Sequence, residues 1–600
     1  MEQRVPKRNE VPAELTWDLS DIYKDTAAWE ADGKKAMDLA DQLAAMEGRA
    51  AESASSLLRA MDLYAECMER TYSVYSYAMM KNDEDTRESA GQELVFRAQS
   101  LNTKVSEKIS FLEPEILSLP SKTLASYFEK EPGLSAYRVA IRDMVRLKDH
   151  SLSKEAERLL ASAGEMAQVS VNTFGMLTDA DMKFPSVMRE GGEIQITGGR
   201  FVPLQMSPDR DLRREVFEKF YGTYKQFGNT LASLYDGQIR QQIFFARARK
   251  YPSTFEAAVA GVDVSSAVCD NLIESVHRGL DKMYRYVRLR KKMLGVEELH
   301  MYDVYTPIVK DFEMKVSYEE AKEISLKALA PLGEDYLAVV RKAYEDRWID
   351  VMENEGKRSG AYSGGVYRVH PYMLLNYNGT LDDVFILVHE MGHSLHTWLS
   401  ARNQSFLNAD YKIFVAEVAS TTNELLLIHY LLERASSREE KAYLINHLLD
   451  SFKGTLYRQT MFEEFERKTN LMAEAGQPLT ASVLSDTYME LNRLYFGPDM
   501  VSDDLIAWEW SRIPHFYYNF YVYQYATSFA AAAAISRKIL EGEEGAVENY
   551  LKFLSSGCTK DPISLLKTAG VDLSTGKVVD EALEVFEGAI RQMEELFAEE

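Results

Sequence analysis

Cysteine is scarce in this chain: Cys67, Cys269 and Cys558 are the only three in 600 residues, far apart and in no CxxC pair. An odd and sparse set argues against a disulfide framework and fits a reducing compartment, with buried structural thiols as the expectation. Long apolar runs are lacking too. The most apolar stretch, Phe520 to Ile535, is interrupted by Gln524, Thr527 and Ser528, so it reads as a buried helix and no membrane span is expected. The start, Met1-Glu2-Gln3-Arg4, is charged and leads into no apolar core, so no signal-peptide pattern is present. Basic residues are outnumbered, 69 Lys and Arg against 93 Asp and Glu, which gives a formal net charge of -24. Such a surface repels phosphate backbones, so nucleic acid is not an expected partner. The expectation is a cytoplasmic protein with no membrane partner.

What is there is an ordinary globular composition, 46% hydrophobic and 27% charged. Six hundred residues exceed one simple core, so one very large domain or two to three lobes are expected. Apolar residues recur at helical spacing almost without interruption to about residue 180. Leu57, Leu58, Met61, Leu63 and Tyr64 are one example, and Val139, Ile141, Met144, Val145 and Leu147 another. Pro114, Pro120 and Pro132 mark breaks between helices. Near Glu193–Leu204 the period changes, and Ile194 and Ile196 followed by Gly198-Gly199 predict a hairpin. Ser207-Pro208-Asp209 then predicts a new helix, capped by the serine. These signals predict a mainly α protein of two helical lobes, residues 1–200 and 201–600, with a small β element. That element is the glycine- and tyrosine-rich stretch 360–379. An edge strand at 362–377 would offer its backbone to an extended peptide, which makes Ser363, Gly364 and Gly365 candidates for substrate binding.

The chemistry concentrates between Thr380 and Glu424. His389-Glu390-Met391-Gly392-His393 places two imidazoles on one face of a helix, with a carboxylate directly after the first. That pattern suits one zinc ion with room for a third ligand and a water, and Glu390 would stand where it could take the water's proton. Thr380 and Asp383 have capping-box spacing, so the helix is predicted from about Leu381 through Trp398. Burying two unpartnered histidines among Phe385, Leu387, Val388 and Leu395 would cost on the order of 1–3 kcal/mol each, a cost that a metal removes. His396 lies one turn beyond His393 and is given a supporting or packing role. Glu417 and Glu424, seven apart on a second apolar helix predicted over Tyr411–Leu432, are both candidates for the third ligand.

The segments His389-Glu390-Met391-Gly392-His393-Ser394-Leu395-His396, Phe414-Val415-Ala416-Glu417-Val418-Ala419-Ser420 and Arg512-Ile513-Pro514-His515-Phe516-Tyr517-Tyr518 resemble oligoendopeptidase F. That group is a branch of the thimet-oligopeptidase-like zinc peptidases. Thr16-Trp17-Asp18-Leu19 and Pro371-Tyr372 … Asn376-Tyr377 resemble it as well, so the likeness touches nearly the whole chain. The resemblance implies His389, His393 and Glu417 as zinc ligands, Glu390 as general base, and Glu424 as a carboxylate supporting the site from behind. It also implies an active site enclosed in a deep channel between helical lobes, and hence short oligopeptides as substrates. Cys558 departs from the pattern outside these motifs.

Hydrolysis of a peptide bond also needs a donor for the oxyanion, and a neutral phenol or imidazole can supply it. Tyr517, Tyr518, Tyr521, Tyr523 and Tyr525 crowd into one segment after His515. Aromatic packing accounts for most of such a cluster. In the resembling family two tyrosines seven apart, preceded by a histidine, serve the oxyanion and the substrate, a spacing that His515, Tyr518 and Tyr525 share, with Tyr523 as a further candidate for substrate contact. The expected activity is endopeptidase cleavage. The rivals are a dipeptidyl carboxypeptidase and a peptide-binding scaffold whose metal is structural or absent. No further sequence-local ligand is present to close the metal site, which favours an open position.

Overall fold

The computed structural model describes residues 4–309 and 314–598, and the fold is mainly α. Backbone packing divides the chain into two compact units. The first comprises Met1–Asp149, Glu313–Tyr430 and Ile535–Val571, and the second His150–Phe312, Leu431–Ala534 and Asp572–Glu600. These units interleave along the sequence, whereas the lobes expected at 1–200 and 201–600 are contiguous. Local periodicity identifies helices but carries no information on which distant helix each one packs against.

In the first unit three long helices, Thr26–Ala44, Ala54–Asp83 and Ser89–Ile109, pack around Leu43, Leu57, Met61, Cys67 and Val105. Asp25 and Ser53 start the first two by accepting hydrogen bonds from Ala28 N and Ser56 N. The prolines act as expected: Pro114 sits in the first turn of Leu112–Ser118, Pro120 stands directly before Ser121–Lys130, and Pro132 opens a 3-10 turn.

The same unit holds a three-stranded sheet. Pro371–Tyr377 is its central strand, paired parallel with Ile349–Met352 and antiparallel with Tyr362–Gly365, which leaves Tyr362–Gly365 at an edge. The chain's opening segment braces this sheet. Trp17 packs against Tyr362 and edge-on against Tyr372, the Tyr372 hydroxyl donates to Asp18 O at 3.0 Å, and Arg347 donates to Thr16 O at 3.0 Å. On the strand Ile349–Met352 Asp350 is buried between Arg8 and Lys357, whose Nζ lies 2.7 Å away. Burial lowers the Lys357 pKa, and the Asp350 carboxylate opposes that effect.

In the second unit Arg210–Gln226, Gly228–Ala248, Arg458–Glu474 and Ala481–Phe496 surround a buried ion network. Glu509 takes hydrogen bonds there from Arg458, Arg512, Tyr221 and Tyr488. Two local expectations are corrected. The hairpin lies earlier, Val187–Arg189 against Gly192–Ile194, because Thr197 accepts from Arg200 N and turns Gly198–Gln205 into a helix. The next helix, Arg210–Gln226, is capped by Asp209 rather than Ser207, the carboxylate accepting from Leu212 N at 3.0 Å. Among the described residues no helix is long and apolar enough to cross a membrane.

Replacing Asp350 by Ala leaves the buried Lys357 ammonium without its counter-charge. It should destabilise the fold by about 3 kcal/mol, with the double change Asp350→Leu, Lys357→Met costing less than the single one. Urea unfolding monitored by tryptophan fluorescence checks this; an equal or larger loss in the double variant would count against the ion pair.

Candidate functional site

Leu381–Asn403 is one continuous helix, five residues longer than the pattern predicted, and it begins with the expected capping box between Thr380 and Asp383. Leu381, Val384, Leu387, Val388, Met391 and Leu395 bury one broad face of it. Ile413–Arg434 carries Glu417 and Glu424. The two helices touch backbone to backbone at Gly392. A Cβ there would stand 2.6 Å from Ser420 Cα and 2.7 Å from Ala419 O, so only glycine permits this approach. Asn423, fully buried, secures the contact by donating to Val388 O at 3.2 Å while accepting from the Tyr336 hydroxyl.

That proximity brings together His389, His393 and Glu417. Glu417 Oε2 is 3.4 Å from His389 Nε2 and 3.5 Å from His393 Nε2, and the three ligand atoms lie within 4.8 Å of one another. Two ligands bound about 2.0–2.1 Å from a tetrahedral ion stand roughly 3.3 Å apart, so the set fits a zinc-sized ion. Among the described residues this is the one group of three or more His, Cys, Asp or Glu side chains that could hold a metal. Of the two glutamates left open by spacing, Glu424 turns instead to the far side of His389 and hydrogen-bonds its Nδ1. That bond fixes the ring and leaves Nε2 directed at Glu417.

The electrostatics favour a cation. Burial lowers the pKa of His389, but the hydrogen bond and charge of Glu424, with Glu390 and Glu417 behind it, outweigh that and raise it to about 9. Burial raises the pKa of Glu417, yet the neighbouring imidazoles and Ser420 hold it down to about 2. Three carboxylates around two imidazoles bind a positive charge, and a proton and a metal compete for the same nitrogen lone pair. Glu390 is 7% exposed, its Oε2 has no hydrogen-bond partner among the described residues, and burial raises its pKa. A carboxylate held in this way is poised to accept a proton.

His396 is buried and stacked on Tyr411, ring centroids 3.6 Å apart, and burial drives its pKa down to about 3. It packs as a neutral ring and joins no ligand set. Tyr362–Gly365 runs alongside the histidine helix, with Ser363 Oγ 2.8 Å from Ser394 Oγ. A Cβ on Gly365 would stand 2.5 Å from Thr397 Cγ2, so this glycine lets the strand lie close to the helix.

The tyrosine segment belongs to the second unit. His515 lies on the 3-10 turn Pro514–Tyr517, half-buried, and burial lowers its pKa, which keeps the imidazole neutral near pH 7. Around it stand the rings of Tyr518 at 5.6 Å, Tyr525 at 6.2 Å and Tyr521 at 6.4 Å. Tyr518 is 53% exposed. Tyr523, in contrast, is 1% exposed and its ring packs edge-on near Phe255. Tyr521, which the seven-residue spacing does not single out, lies between Tyr518 and Tyr525 and shares the cluster, 5.3 Å from Tyr525.

Residues 204–585 match the family described as Peptidase family M3, and residues 115–184 match one described as Oligopeptidase F. The chain belongs to this family of metal-dependent peptidases. Its relatives include the oligopeptidase PepF of Bacillus subtilis (strain 168), 44% identical over 594 residues that span 99% of this chain and 89% of that protein. The plasmid-encoded oligoendopeptidase F of Lactococcus lactis subsp. cremoris is 40% identical, over 98% of each chain. The crystal structure of oligoendopeptidase-F from Enterococcus faecium superposes with a TM-score of 0.75 at 39% identity, covering 95% of this chain and 99% of that one.

Two substitutions test how the cluster is held. Gly392→Ala should force the helices apart at a cost of about 1–3 kcal/mol and weaken metal binding, read by thermal unfolding and metal titration. Glu424→Ala should lower metal affinity by about 10–100-fold while the fold persists, and Glu424→Gln, which keeps an acceptor for Nδ1–H, should lose less.

Proposed function

We propose that the protein is a zinc-dependent endopeptidase that hydrolyses internal bonds of short oligopeptides, with His389, His393 and Glu417 holding one zinc ion. The observation that carries this reading is the convergence of those three ligand atoms together with the buried Glu390 carboxylate, whose Oε2 has no hydrogen-bond partner among the described residues, in a chain of peptidase family M3. Zinc, when bound, supplies Lewis-acid polarisation to a water and to the scissile carbonyl. Glu390 takes the proton of the attacking water and passes it to the departing amine, a task suited to a carboxyl whose pKa is raised by burial. Glu424 keeps the proton of His389 on Nδ1, which leaves Nε2 free to donate its lone pair. A phenol or imidazole from the set His515, Tyr518 and Tyr525 donates to the developing oxyanion, with Tyr518 the leading candidate because it is the exposed one.

The edge strand Tyr362–Gly365 supports a substrate bound in extended form. Its free edge faces away from Pro371–Tyr377, so Ser363 and Gly364 have backbone groups suited to pairing with a peptide. The preference for oligopeptides and for internal bonds follows the names of the Bacillus and Lactococcus relatives. A cytoplasmic site of action agrees with the three free thiols. All of the proposed residues fall within 201–600, the portion read from sequence as catalytic.

Glu390→Gln should retain zinc and lose about 10²–10⁴-fold in turnover of a blocked oligopeptide. Chelation should abolish the wild-type activity and added zinc restore it, with mass spectrometry showing cleavage at internal bonds. Full activity of Glu390→Gln, or release of C-terminal dipeptides alone, overturns the reading.

A further inference from the structure

The segment that carries Tyr518 and Tyr521 contains an unusual piece of backbone. Asn519 and Phe520 both adopt left-handed conformations, with φ of 59° and 56°. Only three other non-glycine residues among those described have positive φ, Lys250, Asp263 and Arg347, and none of these adjoins another. A single asparagine tolerates this region, but a bulky aromatic does so only when its surroundings over-determine it. The consequence is geometric. The turn sends Tyr518 and Asn519 out to solvent and drives Phe520 inward, where its ring meets Phe255 edge-on at 5.0 Å.

The hold on this turn is a carboxyl group with no other assigned work. Phe520 N donates to Glu466 Oε1 at 2.6 Å, and Glu466 lies on the helix Arg458–Glu474 with 1% exposure. Its Oε2 has no hydrogen-bond partner among the described residues. One turn earlier Glu463 is fully buried and accepts from Cys269 Sγ at 3.3 Å. Among the described residues no arginine or lysine is hydrogen-bonded to either carboxyl, in contrast to Glu509 in the same unit, although the charge of Arg467 opposes the effect of burial on Glu463. A core would gain nothing from an unpaired buried acid if packing were its only task, since leucine or methionine fills the space without the desolvation cost. Burial, with Glu463 adding to it, raises the pKa of Glu466 well above its ordinary value, which favours the protonated form, and its Oε1 accepts the Phe520 N–H.

We propose that Glu466 is a positioning residue: through Phe520 N it locks the left-handed turn at Asn519–Phe520 and so sets how Tyr518 and Tyr521 are presented to substrate. The inference rests on the proposed role of the tyrosine segment in peptide hydrolysis. Glu466 touches no reacting atom. Its effect belongs on kcat, because a phenol displaced from the oxyanion fails in the transition state more than in the ground state.

The test compares Glu466→Met, which keeps volume and removes the acceptor, with Glu466→Gln, which keeps an acceptor oxygen in place. In the zinc-loaded full-length enzyme Glu466→Met should lower kcat on the order of 10–100-fold with KM nearly unchanged and zinc content intact. Glu466→Gln should restore most of that kcat. Adding Asn519→Gly to Glu466→Met should recover part of it, because glycine enters the left-handed region without strain at this exposed position. Amide exchange over residues 515–525 should be faster in Glu466→Met and near wild type in Glu466→Gln. Wild-type kcat in Glu466→Met, a loss confined to KM, or an equal loss in the Gln variant overturns the proposal. If wild-type enzyme shows no chelator-sensitive cleavage, the peptidase reading fails instead, and unchanged amide exchange in Glu466→Met independently disproves the anchor.

Discussion

The close approach of two helices at Gly392 is the constraint on which the metal cluster depends. His389 and His393 share a face of one helix simply by their spacing, but two imidazoles alone define only an edge of a coordination sphere. The third ligand atom must come from elsewhere, and Glu417 reaches it from a helix whose backbone lies in van der Waals contact with Gly392. A side chain at that position would hold the helices apart by the width of a methyl group. Such a shift far exceeds the tolerance of a metal–ligand distance, about 0.2 Å, so packing and coordination are set by the same residue. Asn423 adds direction to proximity. Its link to Val388 O ties the residues adjoining Glu424 and His389, so the carboxylate that orients the first imidazole is itself placed by a buried amide.

The chain uses burial of carboxylates in three ways, and the partners decide the outcome each time. Glu509 has two arginines and two tyrosines, and their favourable interactions outweigh the cost of burial and keep it ionised, with its pKa held to about 2. Glu417 is likewise held ionised by imidazoles, which suits it to bind a metal rather than to carry a proton. Glu390 sits between these and the unpaired acids. Burial raises its pKa while His389 and His393 lower it, and that balance suits a group that must both take up and release a proton. Identical side chains are thus suited to different tasks through surroundings alone.

Much of this was legible in the sequence because the signals are local. The capping box at Thr380, the HExxH spacing and the apolar face of the second helix each lie within a few residues, and the structure reproduces them. The choice between Glu417 and Glu424 was open from spacing, since both lie on one helical face. It is decided by the Glu424–His389 Nδ1 contact, which is tertiary. The tyrosine segment was less legible for a related reason. Five phenols in nine residues give no hint of which turn inward, and the reversal at Asn519–Phe520 that sorts them has no glycine to announce it. The hairpin was misplaced because Gly198-Gly199 reads equally well as a turn or as the first turn of a helix, and only Thr197 as a cap separates the two. The strand Ile349–Met352 escaped notice because it is short and its partner, Pro371–Tyr377, follows after another strand.

The reversal at Asn519–Phe520 also shows why glycine is not the better residue there. Glycine would remove the strain but would also let the chain leave the conformation freely, since it populates both signs of φ. A buried phenylalanine forced into the left-handed region holds only while its ring stays against Phe255 and its N–H stays on Glu466. Loss of either contact favours a return to ordinary backbone, and so the turn is made conditional on the packed core of its unit. Strain of this kind is useful where a side chain must be exposed yet fixed: Tyr518 is open to solvent, but the backbone two residues later is pinned inside. An exposed phenol on a glycine turn would reach the same place only part of the time, and a hydrogen bond that must form in a transition state gains from arriving already placed.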